Sequence, residues 1–299
     1  MHRKIRPFEL IEPATVKEAA QLLASHGDKA RVLAGGVDLV SRMMRWQIKP
    51  EYVISIRRIP GLDYIEGDGK IGLKIGAMTT LRSVELSQVI ERYYAILYEA
   101  VRQIASIQVK TMSTVVGNLC VSTPASDIAP VLCVLEAKLK IEGGKEDKIV
   151  AIEDFFVDVG KTIVEPGQIV TEIQIPAVSL QTGAAFFKLK PVKASISKVN
   201  AAVMVGIKDD TCNKAKIALG SVAPKMIRAM RAEETIRGKM VDEALIIRAA
   251  EVAAEESKPI TDLRSTAEYR KEMVAILVKR AIKAALERAS KSEQERGKQ

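Results

Sequence analysis

The 299 residues carry 46 Lys plus Arg against 37 Asp plus Glu, a formal charge of +9, and 47% of them are hydrophobic. That apolar share excludes a disordered chain, and at roughly 100–200 residues per domain the length predicts two domains. Apolar runs such as Ile128–Leu135 fall far short of the roughly 18–20 residues a membrane span needs. The start mixes His2, Arg3, Lys4 and Arg6 with Glu9 and Glu12 around no apolar centre, unlike a signal peptide, so a cytoplasmic protein is expected. There are two histidines, His2 and His26, and three scattered cysteines, Cys120, Cys133 and Cys212. They offer neither a disulfide framework nor a paired-cysteine metal site. Chemistry is therefore expected from backbone amides, carboxylates, lysines or a bound cofactor. Basic residues are interleaved with acids and aromatics make up 4%, which argues against a nucleic-acid surface.

In chain order, Thr15–Val16–Lys17–Glu18 reads as a capping box opening a helix that closes at Gly27. Arg31–Leu33 is a strand running into Ala34–Gly35–Gly36. Asp38–Lys49 then has helical spacing up to Pro50, and Tyr52–Ser55 is the next strand, which completes a βαβ unit. Tyr64–Glu66 and Lys70–Ile75 flank a Gly67–Asp68–Gly69 turn as a hairpin. Helical patterns follow at Leu81–Glu91 and Ala95–Ala105. Thr111–Asn118 reads as a polar, β-branched loop, and Ser126–Ala137 as a helix capped by Ser126. Lys138–Glu142 pairs with Lys148–Ala151, and Ile169–Ile175 is a strand. Beyond Val178 come three antiparallel strands, Ala184–Lys190, Ala201–Lys208 and Lys214–Gly220. Helices at Met226–Arg237, Val241–Glu255 and Thr266–Ala289 follow, then a polar tail expected to be disordered. The fold class is α+β: a first domain over 1–177 with subdomains near 1–58 and 59–177, a sheet-plus-helices domain over 178–289, and the tail 290–299.

Two segments carry chemistry. Val32–Leu33–Ala34–Gly35–Gly36–Val37–Asp38–Leu39 turns from a strand through paired glycines into a helix start. Its exposed amides and the helix dipole suit a phosphate, although a tight turn capped by Asp38 is the plainer reading. Thr111–Met112–Ser113–Thr114–Val115–Val116–Gly117–Asn118 is the second, in which Thr114 can add a hydroxyl donor. Glycine and asparagine tolerate left-handed conformations that converge amides into an anion nest. Nine residues on, Asp127 would repel phosphate and instead accept from sugar or ribityl hydroxyls, or serve only as a first-turn helix acid. Two phosphate-competent loops about 80 residues apart favour a diphosphate cofactor.

At these residues the chain resembles the FAD-binding medium subunits of molybdenum hydroxylases, the group that includes carbon monoxide dehydrogenase, nicotinate dehydrogenase and the flavin portion of xanthine dehydrogenase. Ala34–Leu39 is similar to the family's AGGTDL loop, with Val37 for threonine. Thr114–Asn118 is similar to TIGGN, reading TVVGN, and Ala125–Leu132 to ASDxAPxL. The similarity continues through Glu172–Pro176 and Phe187–Lys188 to Gly220–Pro224, Arg228–Ala229 and Glu233. The resemblance implies a two-part FAD domain of the p-cresol methylhydroxylase (PCMH) type, followed by a domain of a small antiparallel sheet with helices. It places Val32–Leu39 and Thr114–Asn118 around the FAD pyrophosphate and Asp127 on hydroxyls. Ile104 and Val170 would line the adenine or ring pocket, and Lys188 would lie near the flavin or its phosphates, the alternative being a surface cation on an edge strand. Ile107 is a weaker ring-packing candidate. Val116 stands where the family has glycine, and a β-branched residue is poor at positive φ. Pro191–Asn200 lacks the arginine and acid expected there. No cysteine-bearing insertion of the 4-hydroxybenzoyl-CoA reductase kind is present.

The implied function is an electron-transfer flavoprotein. Substrate would be oxidised on a molybdopterin large subunit, and electrons would pass through an iron–sulfur small subunit with a pair of 2Fe-2S clusters. FAD would deliver them to NAD⁺, a quinone, a ferredoxin or oxygen, within a hetero-oligomer such as a dimer of heterotrimers. The rivals are a self-contained FAD oxidoreductase and a flavin-free assembly scaffold. No catalytic side chain and no metal ligand is assigned to this chain.

Overall fold

The computed structural model describes residues 4–179, 181–192 and 194–294. At its start lie β1 (Glu9–Ile11), α1 (Val16–His26), β2 (Ala30–Leu33), α2 (Val37–Met44) and β3 (Tyr52–Ser55). Thr15 Oγ1 accepts from the Glu18 amide at 3.1 Å, and the Glu18 carboxylate turns back to the Ala14 amide at 2.8 Å. One orphan donor of the α1 N-terminus and the amide just ahead of its cap are thus met by the residue types whose spacing predicts it. The strands form a parallel sheet in the order β1-β3-β2, with α2 as the crossover from β2 to β3. β1 is an addition that the sequence pattern does not announce. α2 is shorter than its spacing predicts: Trp46 has φ +59°, and its indole N–H donates to the Lys4 carbonyl at 3.0 Å.

The next part holds β4 (Ile65–Asp68), β5 (Gly72–Gly76), α3 (Leu81–Leu86), α4 (Gln88–Tyr93), α5 (Ala95–Arg102), α6 (Ile107–Met112), α7 (Val115–Cys120) and α8 (Ile128–Val134). It continues with β6 (Lys138–Gly143), β7 (Lys148–Ala151), α9 (Ile152–Phe155), β8 (Phe156–Asp158), β9 (Lys161–Thr162) and β10 (Gln168–Ile175). An antiparallel sheet runs β4-β5-β10-β6-β7. The hairpin turn lies later than expected, because Gly67 and Asp68 belong to β4. Asp68 Oδ1 instead accepts from the Lys70 and Ile71 amides at 2.7 and 2.8 Å. The single helix expected over Leu81–Glu91 is two, since Ser87 ends α3 and caps α4.

The last part contains β11 (Thr182–Leu189), β12 (Val199–Lys208), β13 (Thr211–Gly220), β14 (Ile227–Arg228), α10 (Met230–Ile236), α11 (Glu243–Glu256) and α12 (Ala267–Gln294). Its antiparallel sheet runs β11-β12-β13-β14, and Asp209 and Asp210, both at positive φ, turn β12 into β13. The expected disordered tail is corrected in part: α12 continues through residues 290–294, and 295–299 lie outside the described residues.

This last sheet is buried on both faces, with β12 closed to solvent over Val199–Val205. Ala201, Val203 and Val205 pack towards α11 and α12, whereas Phe186, Ala202, Met204 and Ala218 join the core that holds α5, α8 and β10. Period-two alternation therefore serves two cores at once. Charge reinforces the junction. Among the described residues, every ion pair between the first 178 residues and the rest has its carboxylate on the first side: Glu99 with Arg288, Asp127 with Lys188, Glu136 with Lys214 and Lys216, and Glu153 with Arg228.

Candidate cofactor site

The first glycine loop lies where β2 hands over to α2. Val32 and Leu33 end the strand, paired with Ile54 and Ser55 of β3, and Val32 and Ala34 pack against the core. Gly36 has φ +82° and is the α2 N-cap. Glycine carries no capping oxygen, so the first-turn amides of Val37, Asp38 and Leu39 keep their donors free of a side-chain cap. The Asp38 carboxylate turns away to Arg42 at 3.7 Å and does not cap this turn.

Gly35 explains why a side chain is excluded from the bend. A Cβ there would sit 1.9 Å from the Met112 carbonyl oxygen and 3.1 Å from the Ser113 α-carbon. The first loop is therefore pressed against Met112 and Ser113 of the second. A cleft of about 870 Å³ opens between them, lined by Leu33, Gly35, Gly36, Val37, Val40, Ser41, Met44 and Met112, with Arg45 and Arg57. That size is typical of a small-molecule site. Val37, Val40, Met44 and Met112 are each about 40–50% exposed, so the apolar wall is left open by the described residues. Sequence reasoning missed Arg45 and Arg57. The helical repeat Val37, Ser41, Arg45 was the available signal, since it puts Arg45 on the α2 face that opens from the glycines.

The second loop departs from expectation. Thr114–Asn118 is not a left-handed nest but the cap and first turn of α7, and none of its residues has positive φ. Thr114 Oγ1 accepts from the Gly117 amide at 3.0 Å, and a Cβ on Gly117 would meet that oxygen at 2.7 Å. Val115 donates to the Thr79 carbonyl and Asn118 to that of Thr114. Val115 and Val116 are buried in the core. The concern over a β-branched residue at position 116 dissolves, because its conformation is helical. Three of this loop's amide donors, those of Val115, Gly117 and Asn118, are thus bonded within the chain.

Asp127 and Lys188, predicted separately, meet each other. Lys188 Nζ lies 2.5 Å from Asp127 Oδ2, and the two side chains are 1% and 7% exposed. Asn200 Nδ2 donates to Asp127 Oδ1 at 3.0 Å and to the Ser126 carbonyl at 3.1 Å. Burial pushes the Asp127 carboxyl up, against the charges and hydrogen bonds of Lys188 and Asn200. The edge-strand position of Lys188 is real, but its ammonium is not on the surface. Ser126 Oγ donates to Asn118 Oδ1 at 3.0 Å and accepts from the Ala129 amide, which ties the pair to α7. Ile104 is half-buried beside Gln103, whose carbonyl accepts from Lys188 and Lys190 at 3.5 Å. Val170 is a core residue of β10 paired with Ile141, and Ile107 is 58% exposed at the start of α6.

The description "FAD binding domain in molybdopterin dehydrogenase" matches residues 6–178. The chain belongs to this FAD-binding family of molybdenum hydroxylase medium subunits. A second description, "CO dehydrogenase flavoprotein C-terminal domain", matches residues 184–285 of this family member. The medium chain of carbon monoxide dehydrogenase from Hydrogenophaga pseudoflava is 32% identical over 283 residues, covering 95% of this chain and 98% of that one. The FAD-binding subunit of xanthine dehydrogenase from Escherichia coli O157:H7 is 25% identical, covering 91% and 94%. A solved carbon monoxide dehydrogenase from H. pseudoflava superimposes with a TM-score of 0.92 at 33% identity over 95% of this chain, and quinoline 2-oxidoreductase from Pseudomonas putida 86 with 0.89 at 26% over 96%. The medium subunit is an oxidoreductase flavoprotein with FAD as cofactor. Its residues fit the group: a glycine cradle that no Cβ can enter, uncapped helix amides, two guanidinium groups and an apolar wall converge on one cleft.

Proposed function

We propose that this chain carries electrons within a molybdenum hydroxylase complex. They arrive from an iron–sulfur small subunit, which receives them from a molybdopterin large subunit where substrate is oxidised, and leave to an external acceptor. FAD supplies the redox chemistry when bound, and the protein's part is to hold and tune it. The observation that carries this reading is the contact of Gly35 with Met112–Ser113, which makes one cleft of two segments remote in sequence. The α2 amides and the dipole behind them favour phosphate there, and Leu33, Val37, Val40 and Met44 exclude water from one side. Among the described residues no group of three or more His, Cys, Asp or Glu is placed to hold a metal, so the chain's own contribution rests on the cleft.

Co-expression with the genes beside it tests the proposal. The expected result is a complex that retains flavin, iron and molybdenum and reduces an acceptor with substrate. Acceptor reduction should be lost, while molybdenum-site reduction by substrate persists, when this chain is omitted. Full acceptor reduction without the chain would overturn the proposal.

A further inference from the structure

Folding of Thr114–Asn118 into α7 reduces what this loop can offer the diphosphate of FAD, because the Gly117 and Asn118 amides are bonded within the turn and that of Val115 to Thr79. Compensation is available across the cleft. Arg45 ends α2 and Arg57 stands two residues beyond β3, and both line the cleft with Gly35 and Gly36. Neither has a carboxylate within 4 Å among the described residues, while Asp38 pairs with Arg42 at 3.7 Å and Glu12 with Arg58 at 2.9 Å. Two guanidinium groups without a counter-charge, on the walls of a site that takes a dianionic group, have a clear electrostatic use. Their planar forks match phosphate oxygens with paired hydrogen bonds.

We propose that Arg45 and Arg57 grip the FAD diphosphate in place of the donors spent in α7, and that they set the preference for the dinucleotide over flavin mononucleotide. This rests on the family's cofactor and adds the residues that select it. A single phosphate can engage one fork fully, whereas two linked phosphates can engage both. The grip is electrostatic, so it weakens as salt screens it.

The test is titration of flavin-free full-length protein with FAD, flavin mononucleotide and riboflavin, followed by flavin fluorescence, for wild type, R45Q, R57Q and R45K. Each glutamine variant should lose about tenfold in FAD affinity, the usual order for a charge-assisted hydrogen bond. Flavin mononucleotide should lose less and riboflavin nothing, with a shallower salt dependence for FAD. R45K should recover part of the loss. The unfolding temperature of the flavin-free variants should match wild type, since neither side chain has an ion partner to forfeit. Unchanged FAD affinity in both glutamine variants, or an equal fall for riboflavin, would overturn the assignment. Wild-type protein that takes up no FAD would overturn it together with the flavoprotein reading, which sets the two failures apart.

Discussion

Asp127 shows how one side chain can be legible as important while its partner within the chain is not. Its place in an ASDxAP-like stretch marks it, yet the sequence offers hydroxyl binding or a helix-start acid and not a lysine 61 residues away. Burial decides the matter, because an ammonium that is 1% exposed cannot remain without a counter-charge. Asp127→Ala is therefore expected to cost about 3–5 kcal/mol of stability in flavin-free protein, the usual penalty for stranding a buried charge. Urea unfolding of the flavin-free variant checks it, and the double change Asp127→Leu with Lys188→Met should recover much of the loss. An unchanged midpoint in Asp127→Ala would mean that solvent reaches Lys188. Gly35 was readable as a glycine required by a turn. That Met112 is what requires it was not, because close backbone approach leaves no trace in periodicity.

At the scale of elements, the β-branched composition of Thr111–Asn118 points away from helix, yet α6 and α7 divide the segment between them. Tertiary contact overrides propensity here. Val115 and Val116 gain burial, and the cap from Thr114 offsets the weak helix preference of valine. Thr114→Ala should remove that cap at a cost of about 0.5–2 kcal/mol and fray α7, whereas Thr114→Ser keeps the hydroxyl and should stay near wild type. Equilibrium unfolding measures both. The βαβ unit, the β6–β7 hairpin and the three long strands after Val178 were legible because alternation and turn residues agree with the final pairing. β1 was not, since three residues with no alternation to speak of join the sheet only by pairing with β3.

For the whole molecule, Glu136 at the junction between the first part and the last makes the fold sensitive to acid. Burial pushes the Glu136 carboxyl up, but hydrogen bonds and charge from Lys214 and Lys216 outweigh it and hold it below its ordinary value. A carboxyl lowered in the folded state stabilises above the ordinary value and withdraws that support as pH falls through it. The urea midpoint should therefore drop as pH is lowered past about 4.5, and drop less steeply in Glu136→Gln.

The sheet that belongs to two cores bears on how the protein is made. While the ribosome has delivered only β1 to β10, the helices around α5 and α8 lack the apolar cover of Phe186, Ala202 and Met204, and Asp127 still waits for its lysine. The nascent half cannot reach its final state alone and presents a sticky surface until synthesis brings β11 and β12. Maturation of the first half is thus timed by translation of the second.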